Sequence, residues 1–300
     1  MEKRQFGKTD MQVSVLGFGG SEIGFEEADQ ETVKTLLLKA LDAGLNVIDT
    51  GECYRSSEEL IGETVSDRRD DFYLFTKCGH PHGMESGANW SQDSLLESVQ
   101  RSLRRLKTDR LDLVHLHSCS ETVLRKGEAI TALQIARERG YTRYIGYSGD
   151  GQAAQYAMEC GAFDSLQTSI NIADQEAIDL TVPLARKREI GVIAKRPIAN
   201  VAWKTGHKPA SSYQHTYWDR LRKLGYSFLR NSDLDKSISV ALRFTLSVPG
   251  VHVAIVGTTK GERWEQNAKL LEAGPLSKEE FEEIRERWND VAPKTWIGQT

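Results

Sequence analysis

Short apolar runs alternate along this chain with longer stretches whose apolar residues recur at helical spacing. Each run is four to seven residues long, the length of a buried strand, and glycine or polar residues flank it. Eight runs are predicted as strands, at residues 13–18, 46–50, 72–77, 111–117, 144–148, 165–168, 191–195 and 253–256. Strands separated by helices are typical of a parallel sheet, because a parallel connection needs a long crossover.

The helical stretches carry signals for where helices begin and end. DQETVKTLLLKALDAG begins on Asp29 as an N-cap and ends at Gly44, and SQDSLLESVQRSLRRLKTD begins on Ser91. Before the first strand, KRQFGKTDMQVSV predicts a hairpin that turns at residues 7–10. Near the other end, residues 277–289 predict an amphipathic helix, and we expect the tail VAPKTWIGQT after it to fold over a barrel end.

Eight strands with intervening helices close most economically into a TIM (β/α)8 barrel, here with an N-terminal hairpin and a C-terminal helix and tail. We expect a single domain over residues 1–300, because barrels of this kind reach that length. An open doubly wound sheet is the alternative, but GFGGSEIG after the first strand lacks the GxGxxG spacing and no convincing helix follows it. Residues 199–233 are weakly periodic and predict a long functional loop.

Composition excludes several classes of partner. The formal net charge of -4 gives no basic surface for nucleic acid, and no stretch resembles a signal peptide or a membrane span. The four cysteines have no CxxC spacing, which indicates free thiols in a reducing compartment rather than disulfides or a zinc ribbon. We therefore expect a cytoplasmic protein with no nucleic-acid or membrane partner and no metal, while the sequence gives no oligomeric state.

Chemically capable side chains stand where consecutive predicted strands end. The second strand ends at Asp49 and leads to Tyr54, the third ends at Lys77, and the fourth ends at His117. Taken singly, each is more often a turn cap, a solvated charge, a core plug or a structural histidine. Together they favour a site, because the carboxyl ends of barrel strands meet on one rim, where barrel enzymes carry their catalytic residues.

The same residues carry a family resemblance. NVIDTGECY, FTK, LDLVHLH and, near the other end, GVHVAIVGTTKGERWEQNAKLL resemble motifs of the aldo-keto reductase superfamily. The resemblance implies NADPH-dependent reduction of a small-molecule aldehyde or ketone to an alcohol, with Asp49, Tyr54, Lys77 and His117 as the catalytic residues. Tyr54 would be the general acid, its pKa lowered by Lys77, while Asp49 holds the lysine and His117 orients the substrate.

The resemblance also implies a set of nicotinamide-nucleotide contacts. They are Gly20, Asp49, Ser148, Gln167, Lys195, Arg196, Pro197, Ile198, Asn200, Gly257, Thr259, Arg263, Gln266 and Asn267. The chain departs from the family pattern at three places: Gly149 replaces an asparagine, Lys195 and Arg196 replace an aromatic that stacks on nicotinamide, and Gly257 replaces a lysine. A lysine stem or a guanidinium plane would then cover that face of the ring. NADPH is the expected cofactor, because Arg263 matches the arginine that contacts the adenosine phosphate, and NADH remains open.

Two other functions are alternatives to carbonyl reduction. His115 and His117 lie on one face of a strand near Asp49, which would suit a metal-dependent barrel hydrolase, although further ligands in a recognised arrangement are lacking. A nucleotide-sensing regulatory subunit, of the kind that accompanies channels in this superfamily, is the second alternative.

Several further residues near the rim carry open alternatives. Cys53, Cys78 and Cys119 are small apolar fillers or, as the weaker hypothesis, oxidant-sensitive thiols activated by Lys77. Substrate specificity is expected in the rim loops after Gly79, Ser118 and Ala199. The four tryptophans near these loops and the tail would line an aromatic pocket or pack loops on the barrel; they are Trp90, Trp203, Trp218 and Trp296.

Overall fold

Eight parallel strands form a closed barrel in the computed structural model, which describes residues 1–81, 87–230 and 233–299. The strands are β3 (Leu16–Gly19), β4 (Val47–Asp49), β5 (Tyr73–Cys78), β6 (Leu111–His117), β7 (Thr142–Ser148), β8 (Ser165–Ser169), β9 (Gly191–Lys195) and β10 (Val253–Val256). They pair in chain order, and β10 pairs back with β3 to close the ring. The predicted TIM (β/α)8 fold is confirmed.

An antiparallel hairpin closes the N-terminal end of the barrel. Its strands are β1 (Lys3–Gln5) and β2 (Gln12–Ser14), so the single strand predicted at 13–18 is wrong: β2 pairs with β1, whereas β3 belongs to the barrel. Phe6, in the turn, is fully buried, and a Cβ placed on Gly191 at the start of β9 would lie 2.5 Å from its ring. The glycine therefore makes room for the aromatic plug.

Helices connect the strands and cover the barrel. They are α1 (Ser21–Phe25), α2 (Gln30–Asp42), α3 (Ser57–Val65), α4 (Gln92–Arg105), α5 (Glu121–Lys126), α6 (Glu128–Glu138), α7 (Gly151–Glu159), α8 (Glu176–Leu180), α9 (Val182–Lys187), α10 (His215–Leu224), α11 (Leu234–Ser247), α12 (Arg263–Leu270) and α13 (Lys278–Val291).

The predicted helix starts have different outcomes. The Asp29 carboxylate accepts the Thr32 N–H at 2.9 Å and caps α2 as expected, and Ser277 and Glu280 form a capping box at α13. Ser91 precedes α4, but its side chain makes no capping hydrogen bond. The short helix α1 begins at Ser21, within GFGGSEIG itself, where the sequence predicted no helix.

The stretch predicted as a long loop contains a helix. α10 presents Tyr217, Trp218, Leu221 and Leu224 on one face, and these side chains join a second apolar cluster with α11 and α13. Two adjacent aromatic residues blur the helical period in the sequence, which explains the error. Within the described part of the chain, no helix has the length and apolarity needed to cross a bilayer.

The barrel interior has an apolar lower layer and a polar upper layer. The lower interior is filled by apolar side chains, those of Phe6, Met11, Val13, Val47, Phe75, Leu113, Ile193, Val253 and Ile255. Above them Asp49, Lys77, His115 and Gln167 are also buried. Burying polar groups is costly unless they are paired, so each of these side chains is expected to have hydrogen-bond partners.

Candidate active site

A buried ion pair joins the ends of β4 and β5. The Lys77 ammonium donates to the Asp49 carboxylate and to the Thr50 carbonyl, the latter at 2.6 Å. The second Asp49 oxygen accepts the Gln167 amide at 2.9 Å. Burial raises the pKa of Asp49 and the Lys77 ammonium opposes this rise. The ends of β4 and β5, which were predicted to meet, are therefore in contact, and Gln167 of β8 holds the pair by its hydrogen bond to Asp49.

Tyr54 lies beside this pair, half-buried at the mouth of the barrel. Its ring centroid is 4.9 Å from Lys77 Nζ and 5.7 Å from the His117 ring, which it meets edge-on. Burial raises the pKa of Tyr54 well above its ordinary value of 10.0, and the Asp49 carboxylate raises it further. The expectation of a lowered pKa for this phenol is wrong, because desolvation and the Asp49 carboxylate outweigh the effect of the nearby cations.

His117 completes the group of four predicted residues. Its Nδ1 lies 3.3 Å from the Cys53 sulfur, and its ring packs edge-on against His80 with centroids 5.5 Å apart. Burial lowers the pKa of His117 well below 6.5, and the Lys77 ammonium lowers it further. The imidazole is therefore neutral at pH 7, as a hydrogen-bonding group at this position requires.

Glu52 is an important residue that the sequence reasoning missed. Its buried carboxylate accepts the backbone N–H groups of Gly79 at 2.8 Å and His80 at 3.0 Å, and it pairs with Arg101 at 3.1 Å. These bonds tie the loop that carries Tyr54 to the loop after β5. Glu58 likewise pairs with Arg105, one turn after Arg101 on α4, and no local pattern in the sequence connects these carboxylates with that helix.

Ser148 and Gln167 lie together as predicted for a carboxamide contact. The Ser148 hydroxyl donates to Gln167 Oε1 at 3.0 Å, at the ends of β7 and β8. At Gly149 a Cβ would lie 2.5 Å from the Tyr147 phenol oxygen, and that phenol donates to the Cys119 carbonyl at 2.7 Å. A buried tyrosine thus takes the space of the asparagine side chain usual in the family.

The end of β9 carries two cations in different environments. Lys195 Nζ pairs with Asp150 at 2.8 Å, and burial lowers the pKa of this lysine. Arg196 donates from Nε to the Tyr213 hydroxyl at 2.6 Å, and its guanidinium lies over the Tyr213 ring. Arg196 also donates to the carbonyl of Gln299, so the C-terminal tail does fold over the barrel mouth.

The backbone beyond Arg196 is strained. Arg196, Ala199, Asn200 and Val201 have φ values of 54°, 44°, 52° and 49°, in a region that residues with side chains rarely adopt. The Pro197 carbonyl is fixed by the Thr245 hydroxyl at 2.9 Å. With half-buried Ile198, these residues form the segment predicted to run along a diphosphate.

The predicted adenosine-phosphate residues lie after β10 and on α12. Thr259 donates to Glu26 at 2.9 Å. Among the described residues, Arg263 approaches one acid, the exposed Asp235, at 3.6 Å. The Asn267 amide is buried and neither its oxygen nor its nitrogen has a hydrogen-bond partner, while Gln266 is exposed. Such an unpaired buried amide fits an external polar partner such as a purine edge.

Two of the glycines predicted at the cofactor site have tight surroundings. The Gly20 N–H donates to the Asp49 carbonyl at 2.7 Å, so this glycine joins the first strand end to the ion pair. At Gly257 the Glu22 carboxylate occupies the space of a side chain, which leaves no room for the lysine of the family pattern. Burial raises the pKa of Glu22.

The residues of the two weaker sequence hypotheses have structural roles. His115 is fully buried below His117 and lies 3.2 Å from the Ser165 hydroxyl, as an inward core histidine. Across residues 1–81, 87–230 and 233–299, no three His, Cys, Asp or Glu side chains are grouped to hold a metal ion. Burial raises the pKa of Cys53 and of Cys119 to about 12 and that of Cys78 well above its ordinary value, so activation of these three thiols by Lys77 is wrong.

Most of the tryptophans pack loops rather than line the mouth. Trp203 and Trp218 are buried in the cluster under α10, and Trp296 packs against Trp288. Trp90 packs edge-on against His80, directly over Gly79. Part of the rim loop after Gly79, residues 82–86, lies outside the described residues.

Comparisons with known proteins agree with this geometry. The model of the aldo/keto reductase family matches residues 15–289. The holo structure of aldo-keto reductase AKR11C1 from Bacillus halodurans superposes with a TM-score of 0.83 at 26% identity, over 98% of this chain and 99% of that one. Oxidoreductase YqkF of Bacillus subtilis (strain 168) is 27% identical over 95% of this chain and 96% of its own length. L-galactose dehydrogenase of Arabidopsis thaliana is 26% identical over 99% and 97%.

Proposed function

Because this chain belongs to the aldo/keto reductase family, we propose that it reduces aldehyde or ketone carbonyls to alcohols with a nicotinamide nucleotide. One observation carries the proposal: the phenol of Tyr54 lies beside the Asp49–Lys77 ion pair and the His117 ring at the mouth of one barrel. In this proposal the described barrel acts as one domain over residues 1–300.

Tyr54 is the general acid in this mechanism. A reduced nicotinamide, when bound, supplies a hydride to the carbonyl carbon, so the chain must supply a proton to the carbonyl oxygen. The raised pKa keeps Tyr54 protonated before reaction, and a phenol is more acidic than the alcohol that forms, so proton transfer is favourable as negative charge develops. The Lys77 ammonium near the ring stabilises the phenolate left behind.

Asp49 and His117 position the reacting groups. Asp49 fixes the Lys77 ammonium, since a buried cation without a counter-ion is costly. When the Cys53 thiol donates to Nδ1 of neutral His117, the ring proton lies on Nε2 and can be donated to the carbonyl oxygen.

The residues present fit a nicotinamide nucleotide. Ser148 and Gln167 would hold the carboxamide, the unpaired Asn267 amide would meet the adenine, and Gln266 lies next to it. Arg263 approaches only one exposed acid, which leaves its charge available for an adenosine phosphate. We therefore propose NADPH as the preferred cofactor, with NADH use open.

Spectrophotometric NADPH oxidation with a panel of aldehydes and ketones tests the proposal, with Tyr54→Phe as the diagnostic variant. We expect turnover in the wild type and a loss of about 100- to 10,000-fold in kcat in Tyr54→Phe, the usual contribution of a general acid, with NADPH still bound. Cofactor binding without oxidation of NADPH by the wild type would instead favour the sensing subunit. A metal ion bound in the purified protein, together with no oxidation of NADPH, would favour the metal-dependent hydrolase. Full turnover in Tyr54→Phe would contradict the acid role.

A further inference from the structure

Arg196 differs from the other cations of the mouth because, among the described residues, no carboxylate forms a salt bridge with it and the charges of Asp150 and Glu22 reach it only over a longer distance. Lys77 pairs with Asp49, and Lys195 pairs with Asp150. Among the described residues, no acidic side chain lies within salt-bridge distance of the Arg196 guanidinium. Its acceptors are neutral: the Tyr213 hydroxyl, the Gln299 carbonyl and, at 3.4 Å, the Ser169 hydroxyl.

The Arg196 guanidinium also has hydrogen-bond donors without an acceptor among the described residues. Nε and Nη1 make the three hydrogen bonds above, whereas Nη2 donates to no side chain or carbonyl in the part of the chain that is described. The Tyr213 ring lies 5.1 Å below the guanidinium carbon, which fixes the plane of the group. A half-buried planar cation with free donors is suited to bind a carboxylate or a phosphate in its plane.

Arg196 faces the same mouth as the proposed general acid. Burial and Asp49 raise the pKa of Tyr54, and among the weaker influences the Arg196 charge lowers it while Tyr213 raises it. The positive φ of Arg196 turns its side chain away from the path of β9 toward Tyr213 and the tail. Both of these partners belong to segments of the barrel rim, where a substrate would enter.

We propose that Arg196, held by Tyr213, binds a carboxylate on the substrate, and that the preferred substrates are carbonyl compounds that carry such an anionic group. This inference rests on the proposed function. The unpaired charge is its physical reason: a partly desolvated cation without a counter-ion is costly, and an anionic substrate relieves that cost. The alternative source of an anion is the phosphate of the cofactor, which the test below separates from a substrate carboxylate.

The test compares acids with their neutral esters. Succinic semialdehyde and terephthalaldehydic acid are each assayed beside the corresponding methyl ester, in the wild type, Arg196→Gln and Arg196→Lys. We expect the wild type to prefer the acids. In Arg196→Gln the acid-to-ester ratio of kcat/KM should fall about 10- to 100-fold, mainly through KM, as the loss of a charge-assisted hydrogen bond predicts, and Arg196→Lys should restore part of it.

Arg55→Gln is the matched control. Arg55 is an exposed cation on the loop that carries Tyr54, and it pairs with Glu27 at 3.2 Å. Its removal changes the net charge of the rim by the same amount as Arg196→Gln. An acid-to-ester ratio that stays within about twofold of the wild type in Arg55→Gln assigns the selectivity to the Arg196 site rather than to the overall charge.

A binding measurement keeps the inference independent of turnover. Titration calorimetry measures binding of the hydroxy acid formed from terephthalaldehydic acid to the NADPH-bound enzyme. No reaction occurs in this mixture, because the hydroxy acid and the cofactor are both already reduced. Weaker binding of the hydroxy acid to Arg196→Gln supports the proposal even if the enzyme reduces neither aldehyde. A failure to reduce either aldehyde would count against the proposed function, not against this inference. An unchanged acid-to-ester ratio in Arg196→Gln overturns the inference. A weakened NADPH affinity with equal losses for acid and ester also overturns it, in favour of a cofactor phosphate.

Discussion

At the scale of single residues, the site depends on which charges are paired and which are not. Asp49 and Lys77 neutralise each other, so burial decides the pKa of Tyr54 and keeps the phenol protonated. Among the described residues, Arg263 has one acid within reach, the exposed Asp235, at 3.6 Å. A cation without a firm partner is available to a ligand, whereas a cation in a buried pair has a structural role.

Arg263→Ala should raise the KM for NADPH about 10- to 100-fold and change the KM for NADH less than about threefold, because only NADPH carries the additional phosphate. Steady-state kinetics with both nucleotides measure the effect. Lys269→Ala is the control, since it removes an exposed cation from the same helix, α12. Equal losses for NADPH and NADH would contradict the phosphate contact.

Sequence alone identified Asp49, Tyr54, Lys77 and His117 because each follows a strand and barrel geometry brings strand ends together. It could not identify the role of Glu52, whose partner Arg101 lies on a helix of another unit. It also gave the wrong direction for the pKa of Tyr54. The sign depends on burial and on the short Asp49–Lys77 pair, and neither distance nor solvation is written in the sequence.

At the scale of elements, close helix packing supports the loop that carries Tyr54. That loop leads into α3, which packs against the end of α4. In α3, Gly62 lies so close to the Arg105 carbonyl of α4 that an added Cβ would overlap the oxygen. The glycine thus sets the distance between these helices, despite the low helix propensity of glycine.

Gly62→Ala should lower the free energy of unfolding by about 1 to 3 kcal/mol, because the overlap outweighs the better helix propensity of alanine. Urea denaturation measures the change. Gly261→Ala is the matched control, since no atom lies within 4 Å of its Cβ position, and its stability should stay within about 0.5 kcal/mol of the wild type. A Gly62→Ala protein as stable as the control would show that the two helices can separate freely.

Elements with a clear period were predictable, and elements with conflicting signals were not. The seven strands β4 to β10 follow apolar runs, and α2 follows its capping residue Asp29. α10 was missed because its buried face joins a second cluster rather than the barrel and begins with two adjacent aromatic residues, which blur the helical period. The split of residues 13–18 into β2 and β3 depends on pairing with distant strands, which local pattern does not encode.

At the scale of the whole molecule, one half-buried histidine links the stability of the barrel to pH. His252 lies just before β10, and its Nδ1 accepts the Val192 N–H of β9 at 2.9 Å. Burial and, to a lesser extent, the charge of Arg4 lower the pKa of His252 from 6.5 to about 4. The unfolded chain therefore binds a proton at a higher pH than the folded chain does, so stability falls as the pH drops through this window.

His252→Asn should reduce the loss of stability between about pH 7 and pH 4, because asparagine keeps an acceptor for Val192 but does not titrate. The difference from the wild type should reach up to about 3 kcal/mol, at about 1.4 kcal/mol per pKa unit. Thermal or urea unfolding across this range measures it, with the exposed His207→Asn as the control. Parallel pH curves for the wild type and His252→Asn would contradict the prediction.

The shared anchoring of two rim segments at Arg196 has a consequence for how this barrel can diversify. Tyr213 from one segment and Gln299 from the tail bind the same guanidinium, so Arg196 couples the two segments. The tail has further anchors of its own at Asp174 and Glu176, whereas the side chain of Tyr213 depends on Arg196. An exchange of the tail therefore changes the surroundings of Tyr213, and we expect new specificities in this lineage to arise more readily by paired replacement of both segments than by exchange of one.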